Sequence, residues 1–197
     1  MIPFEFADYR IVLASGSPRR QLLLQKLNIN FEVRTKEIKE IYPSHLKRGD
    51  IPLYLSRLKV KSFDGDMVDN NTIVIAADTI VWFNDMVLSK PGNREEAINM
   101  LKQLSGNMHE VYTGVCIRSG IKSVDFTEMS KVFFKSLTGE EILWYVDNFK
   151  PFDKAGAYGI QEWIGYIAIE RIEGSYSNIM GLPTKILYEE LKKFIEK

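Results

Sequence analysis

The run Arg10-Ile11-Val12-Leu13-Ala14-Ser15-Gly16-Ser17-Pro18-Arg19-Arg20-Gln21-Leu22-Leu23-Leu24 decides the fold class. Ile11 to Ala14 is continuously apolar, as a short strand buried on both faces should be. Ser15-Gly16-Ser17-Pro18 breaks it. Ser17 is a good helix N-cap and Pro18 suits the first helical position. A helix is therefore expected to residue 27, with Leu23, Leu24 and Leu27 facing inward. Strand, small-residue turn and helix make the opening of a βα unit, which places the chain among α/β folds.

Outward from that run, residues 31–35 read as a second strand, residues 36–50 as a polar loop broken by Pro43 and Gly49, and residues 51–63 as a helix started by Pro52. A turn-rich loop covers residues 64–71. Residues 72–83 carry the strongest strand signal, because Ile73-Val74-Ile75-Ala76-Ala77 is apolar without interruption. Asn84-Asp85 turns into a short strand at residues 86–88. Asn93-Arg94-Glu95-Glu96 and Thr138-Gly139-Glu140-Glu141 are capping boxes. The first opens a helix with Ala97, Met100, Leu101 and Leu104 inward, ended by Gly106. The second opens a helix through Ile142, Tyr145 and Val146, ended by Lys150-Pro151. Between them, residues 109–118 and 124–134 form a hairpin about Ser119-Gly120, with Val111, Thr113, Val115 and Ile117 on one face. Residues 166–172 read as a strand, 173–183 as a Gly-rich loop, and a final amphipathic helix follows with Ile186, Leu187, Leu191 and Phe194 inward. The expected fold has a mixed β-sheet flanked by helices.

Composition narrows the function. The 197 residues suffice for one domain, or one domain with two lobes, and for a full core. Lys+Arg and Asp+Glu both number 26, so the net charge is zero. That argues against a nucleic acid polymer as partner and leaves room for a small anionic ligand, which needs only a few local cations. The single cysteine, Cys116, excludes an intramolecular disulfide and sits in an apolar run as a buried thiol. No secretory signal and no 18-residue apolar window are visible, so no membrane partner is expected and the expected address is cytoplasmic.

Five segments could carry chemistry. Ala14 to Arg20 ends a buried strand at a helix N-terminus, whose free N–H groups and partial positive charge suit phosphate. Ser15 and Ser17 add hydroxyls; Arg19 and Arg20 add planar forks. Taken alone, the segment reads more simply as an ordinary capped helix with two solvated arginines, and no Walker A loop exists. Asp78 is a carboxylate in a very apolar strand, costly without a partner or a task. It could bind a divalent metal, act as base toward water, or cap a loop. Lys90, before Pro91, is either aimed inward or solvated. Asp153-Lys154-Ala155-Gly156-Ala157-Tyr158-Gly159-Ile160-Gln161 ends in an amide suited to a base edge, and Gly174-Ser175-Tyr176-Ser177-Asn178-Ile179-Met180-Gly181-Leu182-Pro183 is a second polar loop. Plain turn chemistry accounts for either alone. His45 and His109 are too few for a zinc site, and no GxSxG elbow is present.

Taken in order, Ala14-Ser15-Gly16-Ser17-Pro18-Arg19-Arg20, Ala77-Asp78-Thr79, Lys90-Pro91, His109-Glu110-Val111-Tyr112-Thr113-Gly114 and the two loops resemble the Maf family of nucleoside triphosphate pyrophosphatases. The resemblance runs from about residue 10 to residue 195. It implies a single Maf-like domain over residues 1–197, with two lobes around a central cleft in a Maf/ITPase-like fold. It implies hydrolysis of a nucleoside triphosphate to the monophosphate and pyrophosphate with a divalent cation, Mg2+ or Mn2+. Asp78 matches the general base. Ser15 and Ser17 fall in the phosphate-holding segment, and Arg19, Lys59 and Lys90 match cations on the phosphates. Glu40 matches an acidic residue near the metal and the reacting water, so Glu40 and Asp78 are the implied metal ligands. The segment around Lys59 departs from the usual Leu-Ala pattern, which makes Lys61 a rival, and Lys39-Glu40 stands where Asp-Glu is usual. Arg20, Thr79 and Gln161 look like the specificity set of the branch acting on dTTP and UTP; the sister branch acts on 7-methyl-GTP. Glu162-Trp163 stands where many members have glycine, and Trp163 either narrows a base pocket or packs. A nucleotide-binding regulator of cell division with little catalysis is the alternative from another class. A homodimer is common in such families, and no motif here demands one.

Overall fold

A computed structural model describes residues 6–66 and 71–196. In chain order the elements are β1 (Arg10–Leu13), α1 (Pro18–Lys26), β2 (Glu32–Val33), α2 (Asp50–Lys61), β3 (Thr72–Phe83), β4 (Met86–Leu88), α3 (Arg94–Leu104), β5 (Met108–Arg118), β6 (Ser123–Phe134), α4 (Gly139–Phe149), α5 (Trp163–Ala168), β7 (Ile169–Glu173), α6 (Tyr176–Met180) and α7 (Thr184–Ile195). The strands join in the order β2-β1-β3-β5-β6-β7, with β4 also on β3. β1 runs parallel to β2 and to β3, whereas β4 on β3 and β7 on β6 are antiparallel. The sheet is therefore mixed, as the sequence led one to expect.

Two compact units share this chain. The first comprises residues 1–78, 113–128 and 181–197; the second comprises 79–112 and 129–180. In the first unit, Val12, Ala14, Val60, Phe63, Val74, Ala76 and Cys116 form a buried cluster. These are the apolar runs of β1 and β3 packed against the inward face of α2. Gly114 on β5 lets α2 come this close: a Cβ there would lie 2.3 Å from Leu53 N and 2.4 Å from the Pro52 carbonyl carbon. In the second unit α3 packs on α4. The Thr138 capping box is complete in both directions, with Glu141 N–H on Thr138 Oγ1 at 3.1 Å and Thr138 N–H on Glu141 Oε2 at 2.8 Å.

Several elements differ from the sequence reading. Ser17 has the extended backbone of an N-cap, but its side chain caps nothing; its N–H instead donates to Ser15 Oγ at 3.3 Å. At α3, Glu96 reaches back to Gly92 N–H rather than to the cap backbone. Leu27 and Met100 are only half-buried. β2 has two residues, both exposed. Of the strand expected over 166–172, residues 169–172 lie in β7, while residues 166–168 end a helix, α5. Ile164 and Ala168 are both fully buried, a helical i, i+4 pair that the apolar character of the following residues obscured. The loop expected over 173–183 contains α6. The turn expected over 64–71 lies partly outside the described residues; its described start is a 3-10 turn at Asp64–Asp66. Among the described residues no helix is long and apolar enough to cross a membrane.

Candidate active site

The parallel register of β1 and β3 places the first two candidate segments together. Leu13 faces Ile75, and Ala14 N–H donates to the Ile75 carbonyl at 2.8 Å. There β1 stops and turns into α1, while β3 continues. Asp78 lies three residues further along, about 10 Å beyond the last ladder contact at ~3.3 Å per strand residue. The strand end, the α1 N-terminus and Asp78 thus share the carboxyl side of the parallel pair, where open α/β sheets gather ligands.

Lys59 reaches this place from α2. It follows buried Leu55 by four residues and buried Ser56 by three, so it shares the inward face of the helix. Its ammonium donates to Asp78 Oδ1 and pairs with Glu40 Oε1 at 2.8 Å. The Lys59 and Asp78 side chains are only 15% and 12% exposed, so water screens their pair little, whereas Glu40 is 49% exposed. Glu40 comes from the segment between β2 and α2. Lys36 ties that segment to the end of α2, donating to the Ser62 carbonyl at 2.9 Å with its ammonium over the Phe63 ring. Lys61, the rival to Lys59, is exposed.

The turn after β1 presents Ser15, buried, with Ser17 and Arg19 half-buried beside it. Arg20 crosses this turn: Nε donates to the Gly181 carbonyl at 2.8 Å and Nη1 to Ser15 Oγ at 3.3 Å. Burial lowers the Arg20 pKa, and the Asp78 carboxylate offsets part of that effect. One unit therefore brings Ser15, Ser17, Arg19, Arg20, Glu40, Lys59 and Asp78 together. The Gly181 carbonyl belongs to a loop whose sequence marked it as polar without marking this bond.

The other three candidates belong to the second unit. Thr79 follows Asp78 on β3 and is half-buried. Lys90 is exposed, between buried Pro91 and Ser89, whose carbonyl accepts the Gly156 N–H at 3.3 Å. Gln161 is half-buried, and its Oε1 is enclosed with no hydrogen-bond partner among the described residues. The segment carrying it is held by a cluster that sequence reasoning missed. Lys154 is buried and pairs with Asp153 at 2.6 Å and with Glu162 at 3.0 Å. Tyr145 donates its hydroxyl hydrogen to Glu162 and accepts the Gly159 N–H at 3.1 Å. Burial, then the Glu162 hydrogen bond, pushes the Tyr145 phenol well above its ordinary pKa. Tyr145 reads in sequence as one apolar position of α4, and nothing local betrays its hydroxyl partner. Trp163 packs on Trp144, ring centroids 4.6 Å apart.

Among the described residues no three His, Cys, Asp or Glu side chains group to hold a metal ion. Glu40 and Asp78 nevertheless converge on one ammonium. Two carboxylates fit a divalent cation that takes the rest of its shell from phosphates and water, the usual manner for magnesium.

A strand–turn–helix, the kind of helix N-terminus that suits an anion, stands beside a carboxylate–lysine centre in an α/β protein. The family model described as "Maf-like protein" matches residues 10–194, and the chain belongs to the Maf family. A protein named dTTP/UTP pyrophosphatase from Flavobacterium johnsoniae is 46% identical over 195 residues, covering 99% of this chain and 100% of the relative. Another of that name from Parabacteroides distasonis is 54% identical over 187 residues, 94% of this chain and 96% of the relative. A solved HAM1 protein from Coxiella burnetii, 12% identical, has the same fold with a TM-score of 0.50 over 94% of this chain and 99% of its own.

Proposed function

We propose that the chain hydrolyses dTTP and UTP to the nucleoside monophosphate and pyrophosphate, as the names of its relatives indicate for those proteins. One observation carries the catalytic part: Asp78 and Glu40 meet on Lys59 beside the α1 turn. In this reading the triphosphate lies against the α1 N-terminus, with Ser15, Ser17 and Arg19 on its oxygens and Lys59 and Lys90 as further cations. A triphosphate carries roughly four negative charges, and preorganised donors away from bulk water hold such charge well. Water attacks the α-phosphorus, the bond to the β-phosphate oxygen breaks, and pyrophosphate leaves. Asp78 orients that water and takes its proton. Glu40 and Asp78 would also hold a divalent cation carried on the phosphates, Mg2+ or Mn2+, which supplies charge neutralisation for the departing pyrophosphate. Thr79 and Gln161 are the base-facing pair; an enclosed amide oxygen without a partner suits the imide N–H of uracil or thymine. The reading takes residues 1–197 as a single Maf-like domain working in the cytoplasm, where nucleoside triphosphates are made.

The test is a substrate panel of dTTP, UTP and 7-methyl-GTP with Mg2+ or Mn2+. Pyrophosphate release from dTTP and UTP, faster than from 7-methyl-GTP, is expected. Orthophosphate alone, preference for 7-methyl-GTP, or no turnover by folded protein would overturn the reading.

A further inference from the structure

The amide of Gln161 sits in a turn that is tied down on both sides of it. Before it, Gly159 N–H donates to the Tyr145 hydroxyl oxygen at 3.1 Å. After it, the Glu162 carboxylate takes one donor on each oxygen: the Tyr145 hydroxyl hydrogen on Oε2, and the Lys154 ammonium on Oε1 at 3.0 Å. Tyr145 thus closes a ring, accepting from one end of the turn and donating to the other. The backbone closes it a second time, Glu162 N–H on the Gly159 carbonyl at 3.0 Å. Glu162 folds back over Gly159 so closely that a Cβ there would lie 2.7 Å from its carboxyl carbon. Tyr145 is fully buried, and the Lys154 and Glu162 side chains are 10% and 19% exposed, so water screens these charged bonds little. All of these residues belong to the second unit.

Gln161 Oε1 is enclosed there with no partner among the described residues. An enclosed acceptor with no donor is costly, and a side chain on a loose turn would swing it to water. Fixed neighbours on both sides keep it in one place, as recognition of a ligand donor requires. The imide N–H of uracil can donate to this oxygen; the ring nitrogen in the same place on cytosine is an acceptor and cannot. We infer that Glu162 is a positioning residue for base choice: clamped by Tyr145 and Lys154, it holds Gln161 Oε1 where an imide N–H meets it. This rests on the base-facing role proposed above for Gln161.

Glu162→Gln loosens the clamp, because an amide offers one acceptor oxygen to two donors. The comparison runs over wild type, Glu162→Gln, Gln161→Ala and the double variant. It measures kcat and KM for UTP and CTP, and inhibition by inorganic tripolyphosphate, which has no base. Amide hydrogen exchange, followed by NMR without substrate, reads the turn itself. Glu162→Gln is expected to lower the UTP-to-CTP ratio of kcat/KM about tenfold, the scale of one hydrogen bond, chiefly through KM for UTP. Tripolyphosphate inhibition should not change, and Gly159 N–H should exchange at least about tenfold faster. In the Gln161→Ala background, Glu162→Gln should leave the ratio where Gln161→Ala put it, since the two act as one unit. A wild-type ratio in Glu162→Gln, a further fall in the double variant, equal losses on UTP, CTP and tripolyphosphate, or a wild type indifferent between UTP and CTP would each overturn the inference. Should Glu162→Gln fail to fold, Tyr145→Phe removes the hydroxyl and keeps the ring; it must show the same loss of ratio and the same faster exchange, and wild-type values there sink the idea. A folded wild type that turns over no UTP would overturn the proposed reaction. Faster Gly159 exchange in Glu162→Gln would then still uphold the clamp, and unchanged exchange would remove it as well.

Discussion

Lys59 meets two carboxylates with one positive charge. The pair with Asp78 is sheltered, whereas Glu40 is half in water, so the two acids differ in setting and can differ in task. Asp78→Asn keeps the shape and removes the proposed base; its kcat is expected to fall at least about a hundredfold, with UTP binding retained. A rate within a few fold of wild type would remove Asp78 from the proton-transfer step. A second residue, in the other unit, is expected to contribute to acid stability. His109 is buried, edge-on to Phe134 and Tyr158, with Nε2 2.8 Å from the Tyr158 hydroxyl. Burial pushes its pKa down to about 3. The folded chain therefore holds a neutral ring, while the unfolded chain takes up a proton near pH 6.5. Stability from this group is complete above about pH 6.5 and is lost as the pH falls toward 3, at up to about 1.4 kcal/mol per pH unit. Urea titrations across this range should show a shallower acid loss for His109→Phe than for wild type; parallel curves would refute the assignment. Neither the Lys59 centre nor the His109 environment can be read from spacing. Glu40, Lys59 and Asp78 lie on three separate segments, and only the ordered resemblance grouped them before the structure did.

Among the elements, the contact between β5 and α2 is a tight constraint. A methyl group at Gly114 would lie 2.3 Å from a backbone nitrogen, so the helix itself would have to move. Lys59 is carried by that helix. Gly114→Ala is therefore expected to cost about 1–3 kcal/mol or more in urea unfolding, and to lower activity in molecules that remain folded. An unchanged midpoint and rate would show that α2 tolerates the shift. Elements with local signals were legible beforehand. β1 and β3 announce themselves by unbroken apolar runs, and α4 by a capping box that the structure completes on both sides. Elements whose identity depends on distant partners were not. Residues 166–172 read as a strand, yet residues 166–168 complete α5, in which Ile164 and Ala168 are buried. The Ser17 hydroxyl had every local reason to cap α1, and Ser15 takes its N–H instead.

For the molecule as a whole, the proposed ligand and the stability of the fold are linked. Binding to the folded state alone must raise its stability, by about 2.7 kcal/mol at a hundredfold excess over Kd. A non-hydrolysable UTP analogue should therefore raise the melting temperature of wild type and of Asp78→Asn alike. A shift in wild type but none in Asp78→Asn would mean that Asp78 serves binding before chemistry. The pairing of β1 with β3 has a kinetic corollary. It joins residues 10 and 72, far apart along the chain, and such contacts form only after a long loop has closed. Helices α1 and α2 can flicker into being from their own sequences, but Ser15 and Asp78 become neighbours only once that parallel ladder is in place. The proposed catalytic centre is thus a late product of folding, and a nascent chain that has not yet released β3 has no such centre.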